Sequence, residues 1–112
     1  MIQRDEIYLA SFPLGDVAGM KLRPVLTLTG QVGSSQEVLV ACISSVIPTS
    51  LLSSDLILDP ASVEHASSNL KTKSAVRLHK LATIHRRSIA RRLGALRPSV
   101  VAEVNQKLRA LL

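Results

Sequence analysis

The chain has 112 residues, enough for one domain around a single core, and its apolar residues make up 46% of the total. Aromatic residues account for only 2%, so we expect an aliphatic core that needs no disulfide or metal. A lone cysteine, Cys42, excludes an internal disulfide, and the longest apolar run, residues 38–43, is too short to span a bilayer. Because the N-terminus lacks an apolar signal-peptide centre, we expect a cytoplasmic protein with no membrane partner.

The positive charge is concentrated in one part of the chain. The formal net charge is +6, and residues 71–97 hold nine basic residues and none of the eight acidic ones. This asymmetry favours a polyanionic partner, either a nucleic acid or an acidic protein segment. A solvated basic face without any partner fits the same pattern.

Strands are predicted throughout the first half of the chain. Residues 6–12 alternate imperfectly between apolar and polar, and two β-branched-rich segments follow, at 24–29 and 37–44. A polar loop then leads to a short strand at 55–58, and 61–68 could form one helical turn or two.

The second half is predicted to contain one more strand and a helix. Over 74–84, Val76, Leu78 and Leu81 would face the core, with Arg77 and His79 together on the opposite face.

The C-terminal helix is predicted from Pro98, which suits a first helical turn. Apolar residues recur after it at helical spacing: Val101, Val104, Leu108 and Leu111. The preceding residues 86–93 fit a short helix, a strand or one of each. Together the elements predict a β-rich α+β fold, a small barrel or curled sheet with a C-terminal helix, in a single domain over 1–112.

Arg23 stands at the start of the second predicted strand. Pro24 biases it toward an extended backbone, and proline is tolerated where a strand begins. The guanidinium should therefore project from a fixed point beside the loop that contains Gly15 and Gly19, where it suits a phosphate or carboxylate. An ordinary surface ion pair would explain Arg23 on its own.

Five segments stand in a recognisable order along the chain: IYLASFP at 7–13, KLRPVL at 21–26, VLVACISS at 38–45, LKTKSAVRLHKL at 70–81 and LGALRP at 93–98. Together they resemble the MazF/PemK family of toxins over essentially the whole chain. The resemblance implies a small SH3-like β-barrel that forms a homodimer and needs no cofactor. It also implies a ribosome-independent and metal-independent endoribonuclease that cleaves single-stranded RNA at short sequences and is inhibited by an acidic antitoxin.

The resemblance also implies a set of catalytic residues. Arg23 would hold the scissile phosphate, and Ser44, commonly threonine in the family, would keep a hydroxyl donor. Without the resemblance, Ser44 would be interpreted as a strand-end hydroxyl that caps the following loop. Arg77 and His79 align with an Arg-x-Asp motif of PemK-like members, in which histidine here replaces aspartate. His79 could act as a general base or acid, or its presence could weaken the enzyme.

Further residues are expected to bind RNA because they are basic or polar and lie in or near these segments: Lys21, Ser45, Lys71, Lys73, Lys80, Arg86 and Arg87. No metal site is expected, since His65, His79 and His85 lack partners at metal-ligand spacing. With so few aromatic residues, RNA would be held by phosphate contacts and hydrogen bonds rather than by base stacking.

Two other functions remain open. A non-catalytic toxin on the same scaffold would bind a protein target, as the gyrase-inhibiting CcdB relatives do, and a basic SH3-like module would bind RNA without cleaving it. Retention of Arg23 and Ser44 favours the nuclease, whereas histidine at position 79 favours the alternatives.

Overall fold

The computed structural model describes residues 2–12 and 21–112. In them, six strands and a C-terminal helix follow one another, with short 3-10 turns at Ala66–Ser68 and Arg86–Ser88. The elements are β1 (Glu6–Phe12), β2 (Lys21–Thr27), β3 (Glu37–Ser44), β4 (Asp55–Leu58), β5 (Ser74–His85), β6 (Ile89–Ala95) and α1 (Pro98–Leu111). The strands form one antiparallel sheet in the order β4-β5-β3-β2-β1-β6. The expected β-rich fold with a C-terminal helix is confirmed, although the curled sheet stays open between its edge strands β4 and β6.

The strand predictions are confirmed, with differences at a few ends. β2 begins at Lys21 rather than at residue 24 because its pairing with β1 extends back to that residue. The segment 86–93, which sequence left open, is a 3-10 turn followed by the start of β6. In 61–68 only one turn, Ala66–Ser68, is helical.

One face of the sheet is covered by α1. Val100 and Val104 are buried there, and Leu108 packs against the same core. The predicted helix face was therefore partly wrong: Leu111 is 41% exposed, and Val101 is only half-buried. Residues 100, 104 and 108 form a stripe at four-residue spacing, and the direction in which the chain leaves β6 turns this stripe toward the sheet.

The other face of the sheet carries a second core. Its buried members come from four strands: Tyr8, Ala10, Phe12, Val25, Val38, Val40, Cys42 and Ile84. Because the curled sheet buries side chains on both faces, β1 and β3 do not show a clean alternation of apolar and polar residues.

The course of β5 changes partway along the strand. Cys42 pairs with Arg77 but its neighbour Ala41 pairs with Leu81, so three extra residues lie on β5 at this irregularity. Val76 and Leu78 are buried as predicted, whereas the prediction for Leu81 is wrong, since 37% of it is exposed. The irregularity breaks the two-residue alternation from which Leu81 was assigned to the core.

In the part of the chain that the structure describes, no helix is long and apolar enough to cross a membrane.

Candidate functional site

Charged and polar side chains gather on the sheet face that carries Cys42. Cys42 pairs directly with Arg77, and alternation along β2 and β3 puts Arg23 and Ser44 on the same face. Burial raises the pKa of the Cys42 thiol, while the charges of Lys80, Arg23 and Arg77 partly oppose the rise. Cations from β2 and β5 thus lie close to one another although they are far apart in sequence.

Arg23 is held half-buried on β2, where its backbone pairs with Ala10 of β1. Its Nε atom is buried and has no hydrogen-bond partner among the described residues. A buried donor without a partner is unfavourable, and such a group in a folded protein calls for a specific explanation. The glycine-containing loop expected beside Arg23 lies outside the described residues.

Ser44 ends β3 and makes local hydrogen bonds. Its hydroxyl oxygen accepts a hydrogen bond from the backbone N–H of Val46 and donates one to the Val46 carbonyl, each at 3.1 Å. This is the strand-end capping that the residue type suggests by itself. For Ser44 to donate to a ligand, its hydroxyl hydrogen must turn away from the Val46 carbonyl.

Arg77 and His79 both approach one carboxylate, which agrees with their predicted shared face. The Nε atom of Arg77 lies 2.6 Å from Oδ1 of Asp55, and Nδ1 of His79 lies 3.8 Å from the same oxygen. Asp55 was not among the residues predicted from the sequence. A lone acidic residue at the start of a strand with the pattern Asp-Leu-Ile-Leu was the available signal, but only the pairing of β4 with β5 puts it opposite Arg77.

A cleft of about 540 Å³ opens elsewhere on the protein, between β1, β2, β6 and the segment that leads into β5. It holds two residues expected to bind RNA, Ser45 and Lys71, together with Arg91 and Arg92 of β6, which were not expected there. The other lining residues are Leu9, Pro24, Asn69, Leu70, Thr72, Ser74 and Leu93. We call this cleft the basic cleft. It opens on the sheet face opposite Arg23, because Pro24 and its pairing partner Leu9 alternate with Arg23 and Ala10 along their strands.

Other predicted RNA-binding residues are dispersed. Lys73 and Lys80 are exposed near the start and middle of β5. Arg86 and Arg87 are exposed in the 3-10 turn at the opposite end of β5, away from Arg77. Lys21 is the first residue of β2, and its side chain lies outside the described part of the chain.

The remaining two histidines have local structural contacts. His65 accepts a hydrogen bond at Nδ1 from the Asp59 N–H at 2.9 Å, and His85 accepts one from the Arg87 N–H at 3.1 Å. Over residues 2–12 and 21–112, no group of three or more histidine, cysteine, aspartate or glutamate side chains is arranged to hold a metal ion.

Comparison with known proteins identifies the family. A model for the PemK-like, MazF-like toxins of type II toxin–antitoxin systems matches residues 3–112. The chain belongs to this family. Toxins of the MazF/PemK family are endoribonucleases. No curated protein matches this MazF-like toxin in sequence.

Solved structures share the fold of this MazF-like toxin. The Mycobacterium tuberculosis toxin MazF-mt6 is similar with a TM-score of 0.72 and 24% identity, over 94% of this chain and 93% of that chain. MazF from Deinococcus radiodurans gives a TM-score of 0.74 and 19% identity, over 99% of this chain and 96% of that chain. An endoribonuclease in complex with its cognate antitoxin, from a mycobacterial species, is similar with a TM-score of 0.71 and 15% identity, over 98% of this chain and 93% of that chain.

Proposed function

We propose that this toxin is a ribosome-independent and metal-independent endoribonuclease that cleaves single-stranded RNA at short sequences. The observation that carries the proposal is the buried Nε of Arg23, which lacks a partner among the described residues. It lies on the sheet face of Arg77 and Ser44. The half-buried guanidinium can turn to a phosphate, which would supply an acceptor, and arginine forms strong forked hydrogen bonds to phosphate. We further propose that residues 1–112 act as one toxin domain.

The proposed reaction is a transfer within the RNA. His79 takes the proton of the 2′-hydroxyl, and the 2′-oxygen forms a bond to phosphorus as the bond from phosphorus to the 5′-oxygen breaks. The 5′-oxygen takes a proton from water, and the hydroxide so formed takes back the proton held by His79. The products are a 2′,3′-cyclic phosphate and a 5′-hydroxyl. Arg23, Arg77 and the hydroxyl of Ser44 stabilise the negative charge of the phosphorane as donors.

We propose that the RNA continues from the scissile phosphate to the basic cleft around the end of the sheet where β3 ends. Lys71 and Arg91 are exposed there and can contact phosphates, while Ser45 can donate a hydrogen bond. The leucine side chains of the cleft offer an apolar surface to a base. Lys21, Lys73 and Lys80 add positive charge around the site, and a longer RNA that follows β5 reaches Arg86 and Arg87.

We propose two protein partners, a second copy of the toxin and an acidic antitoxin. The loop after β3 exposes apolar side chains, with Val46 at 78% and Leu51 and Leu52 at 50% each, which a homodimer interface would cover. One mycobacterial endoribonuclease has been solved with its cognate antitoxin, and MazF of Deinococcus radiodurans has been solved as MazE–MazF; the net charge of +6 here suits an acidic partner segment. Such a segment would lie over the basic cleft. Its binding to the toxin would weaken in high salt, because salt screens the attraction between the opposite charges.

One observation favours a non-catalytic toxin, which would bind a protein target or hold RNA without cleaving it. The charge of Arg77 is already paired with the buried Asp55 at 2.6 Å, so Arg77 could be a purely structural cation.

The test is cleavage of a long single-stranded RNA by purified toxin, free of antitoxin, with EDTA present. We expect discrete cuts that leave 2′,3′-cyclic phosphate ends and disappear in Arg23→Ala. Arg109→Ala, which removes an exposed arginine from the last turn of α1, is the matched control and should cleave normally. Absence of cleavage, or cleavage that Arg23→Ala leaves unchanged, would contradict the proposal and favour the non-catalytic toxin.

A further inference from the structure

Asp55 is the one charged residue among the buried residues of the described part of the chain. Its side chain is fully enclosed, with 0% exposed. Enclosing an ionised carboxylate is unfavourable unless the charge is paired and hydrogen-bonded. The role of Asp55 can therefore be inferred from the groups that pair with its carboxylate.

Both carboxylate oxygens of Asp55 have partners. Oδ2 accepts a hydrogen bond of 2.9 Å from the Leu52 N–H, and the Asp55 N–H donates one of 2.9 Å to the Leu52 carbonyl. Oδ1 accepts a hydrogen bond of 2.6 Å from Nε of Arg77. His79 reaches the same oxygen only at ion-pair distance, 3.8 Å. The turn at Leu52 thus fixes the carboxylate, and the carboxylate fixes Arg77.

The contact at Nε restricts the whole guanidinium. Arginine carries its donors on three nitrogens in one rigid plane. Since Nε is bound to Asp55, the plane has a set orientation, and the two terminal Nη nitrogens are left for another anion. Arg77 is 17% exposed, so only part of the side chain can meet a ligand.

We propose that Asp55 is a positioning residue for RNA cleavage, which holds the guanidinium of Arg77 so that its Nη nitrogens face the scissile phosphate. This inference rests on the proposed nuclease function. Asp55 does not touch RNA, because its side chain is enclosed, and it acts only through Arg77.

The first test replaces the carboxylate by an amide of the same shape. In Asp55→Asn we expect kcat to fall roughly a hundredfold, because a small misplacement of a catalytic group has effects of that size. KM should change little, since the lost interaction concerns the transition state. Asp59→Asn is the control: Asp59 also caps a loop, by accepting from the Ala61 N–H at 3.0 Å, and its replacement should leave kcat unchanged.

A double-mutant cycle separates positioning from a general structural role. If Asp55 acts through Arg77, Asp55→Asn should cause no further loss of kcat in an Arg77→Ala background. An equal loss in both backgrounds would overturn the proposal. So would cleavage that requires Arg23 but is unaffected by Asp55→Asn, an outcome that leaves the nuclease function intact. Absence of any cleavage by the unaltered toxin would overturn both.

A measurement on the unaltered toxin covers the case in which Asp55→Asn fails to fold. The Nε–H signal of Arg77 can be followed by NMR and assigned from its loss in Arg77→Lys. The probe is a single-stranded DNA oligonucleotide, which lacks the attacking 2′-hydroxyl. We expect the signal to persist, with slow solvent exchange, when the oligonucleotide binds. Rapid exchange in the complex would mean that Arg77 leaves Asp55, and it would overturn the proposal.

Discussion

The hydroxyl of Tyr8 donates a hydrogen bond of 2.6 Å to Oε1 of Glu6, and Arg92 holds the other oxygen of Glu6 through its Nε at 2.6 Å. Burial by itself would raise the pKa of the Glu6 carboxyl, but hydrogen bonds from Tyr8, Arg92 and the Gln3 N–H, together with the charge of Arg92, lower that pKa. Burial and the Glu6 carboxylate together raise the pKa of Tyr8 to about 12. This network joins β1 to β6 at the wall of the basic cleft.

We predict that Glu6→Gln lowers the pKa of Tyr8 from about 12 toward its ordinary value of 10.0, because it removes the negative charge beside the phenol. The chain has one tyrosine and no tryptophan, so the ultraviolet absorbance of the phenolate reports on Tyr8 alone. Glu103→Gln, on the exposed side of α1, is the control and should leave the titration unchanged.

The same shift predicts how stability depends on alkaline pH. The folded pKa of Tyr8 is raised, so its contribution to the free energy of unfolding is fully present below pH 10.0 and is lost as the pH rises toward about 12. Urea unfolding across this range should show a smaller decline in Glu6→Gln than in the unaltered protein. An equal decline in the two proteins would contradict the role of Glu6.

Gly94→Ala should destabilise the fold, because the loop that contains the first 3-10 turn packs directly on the backbone of β6. A Cβ atom at position 94 would overlap the Ser67 carbonyl oxygen and lie 2.7 Å from that of Ser68. Overpacking against backbone typically costs about 1–3 kcal/mol. Thermal unfolding of the two variants measures this cost. Gly30→Ala, whose Cβ would meet only the Ile2 carbonyl oxygen at 3.3 Å, should lower the stability less than Gly94→Ala.

Thr27→Val should lower the free energy of unfolding by about 1–3 kcal/mol, the usual effect of leaving buried polar groups unpaired. The Thr27 side chain is fully buried, and its Oγ1 accepts from the Glu6 N–H at 3.0 Å and lies 2.6 Å from the Gln3 carbonyl, to which it donates. Valine keeps the shape and the strand preference but not the hydroxyl. Thr83→Val, at an exposed position of β5, is the control. A similar decrease in the free energy of unfolding for Thr83→Val would contradict the role assigned to the Thr27 hydroxyl.

Lys71→Ala and Arg91→Ala should each weaken binding of a single-stranded oligonucleotide and reduce its salt dependence. Each lost phosphate contact lowers the slope of log K against log salt by about 0.7 for a single strand. Fluorescence anisotropy with a DNA oligonucleotide at several salt concentrations measures this slope without cleavage. Arg109→Ala should leave the slope unchanged, and an unchanged slope in both cleft variants would place the nucleic acid elsewhere.

The strands and the helix were predictable because their signals are local. β-branched segments, the Gly- and Ser-containing turn and Pro98 each act over a few neighbouring residues, and their order along the chain was enough to identify the family resemblance. The faces of these elements were less predictable. Val100 rather than Val101 faces the sheet, and Leu81 is exposed, because a helix direction and a strand irregularity are set by distant contacts.

Some residues of the candidate site could likewise be predicted from local sequence, and others could not. Arg23, Ser44, Arg77 and His79 could be proposed from sequence because each lies in a short segment that resembles the family. Asp55 and Arg91 were missed because nothing in their own neighbourhoods marks them. Asp55 gains its partner from the pairing of β4 with β5, and Arg91 reaches the basic cleft because β6 lies beside β1 at the edge of the sheet.

Sequence by itself therefore determined the family, the order of the elements and the residues that could bind a phosphate, since residue type and local spacing carry that information. Only the tertiary structure decided which charges meet. Strand pairing and the curl of the sheet bring Arg23, Arg77 and Asp55 together although they are separated by 22 or more residues. Electrostatic and hydrogen-bond energies depend on distances in space, and those distances exist only once the sheet has formed.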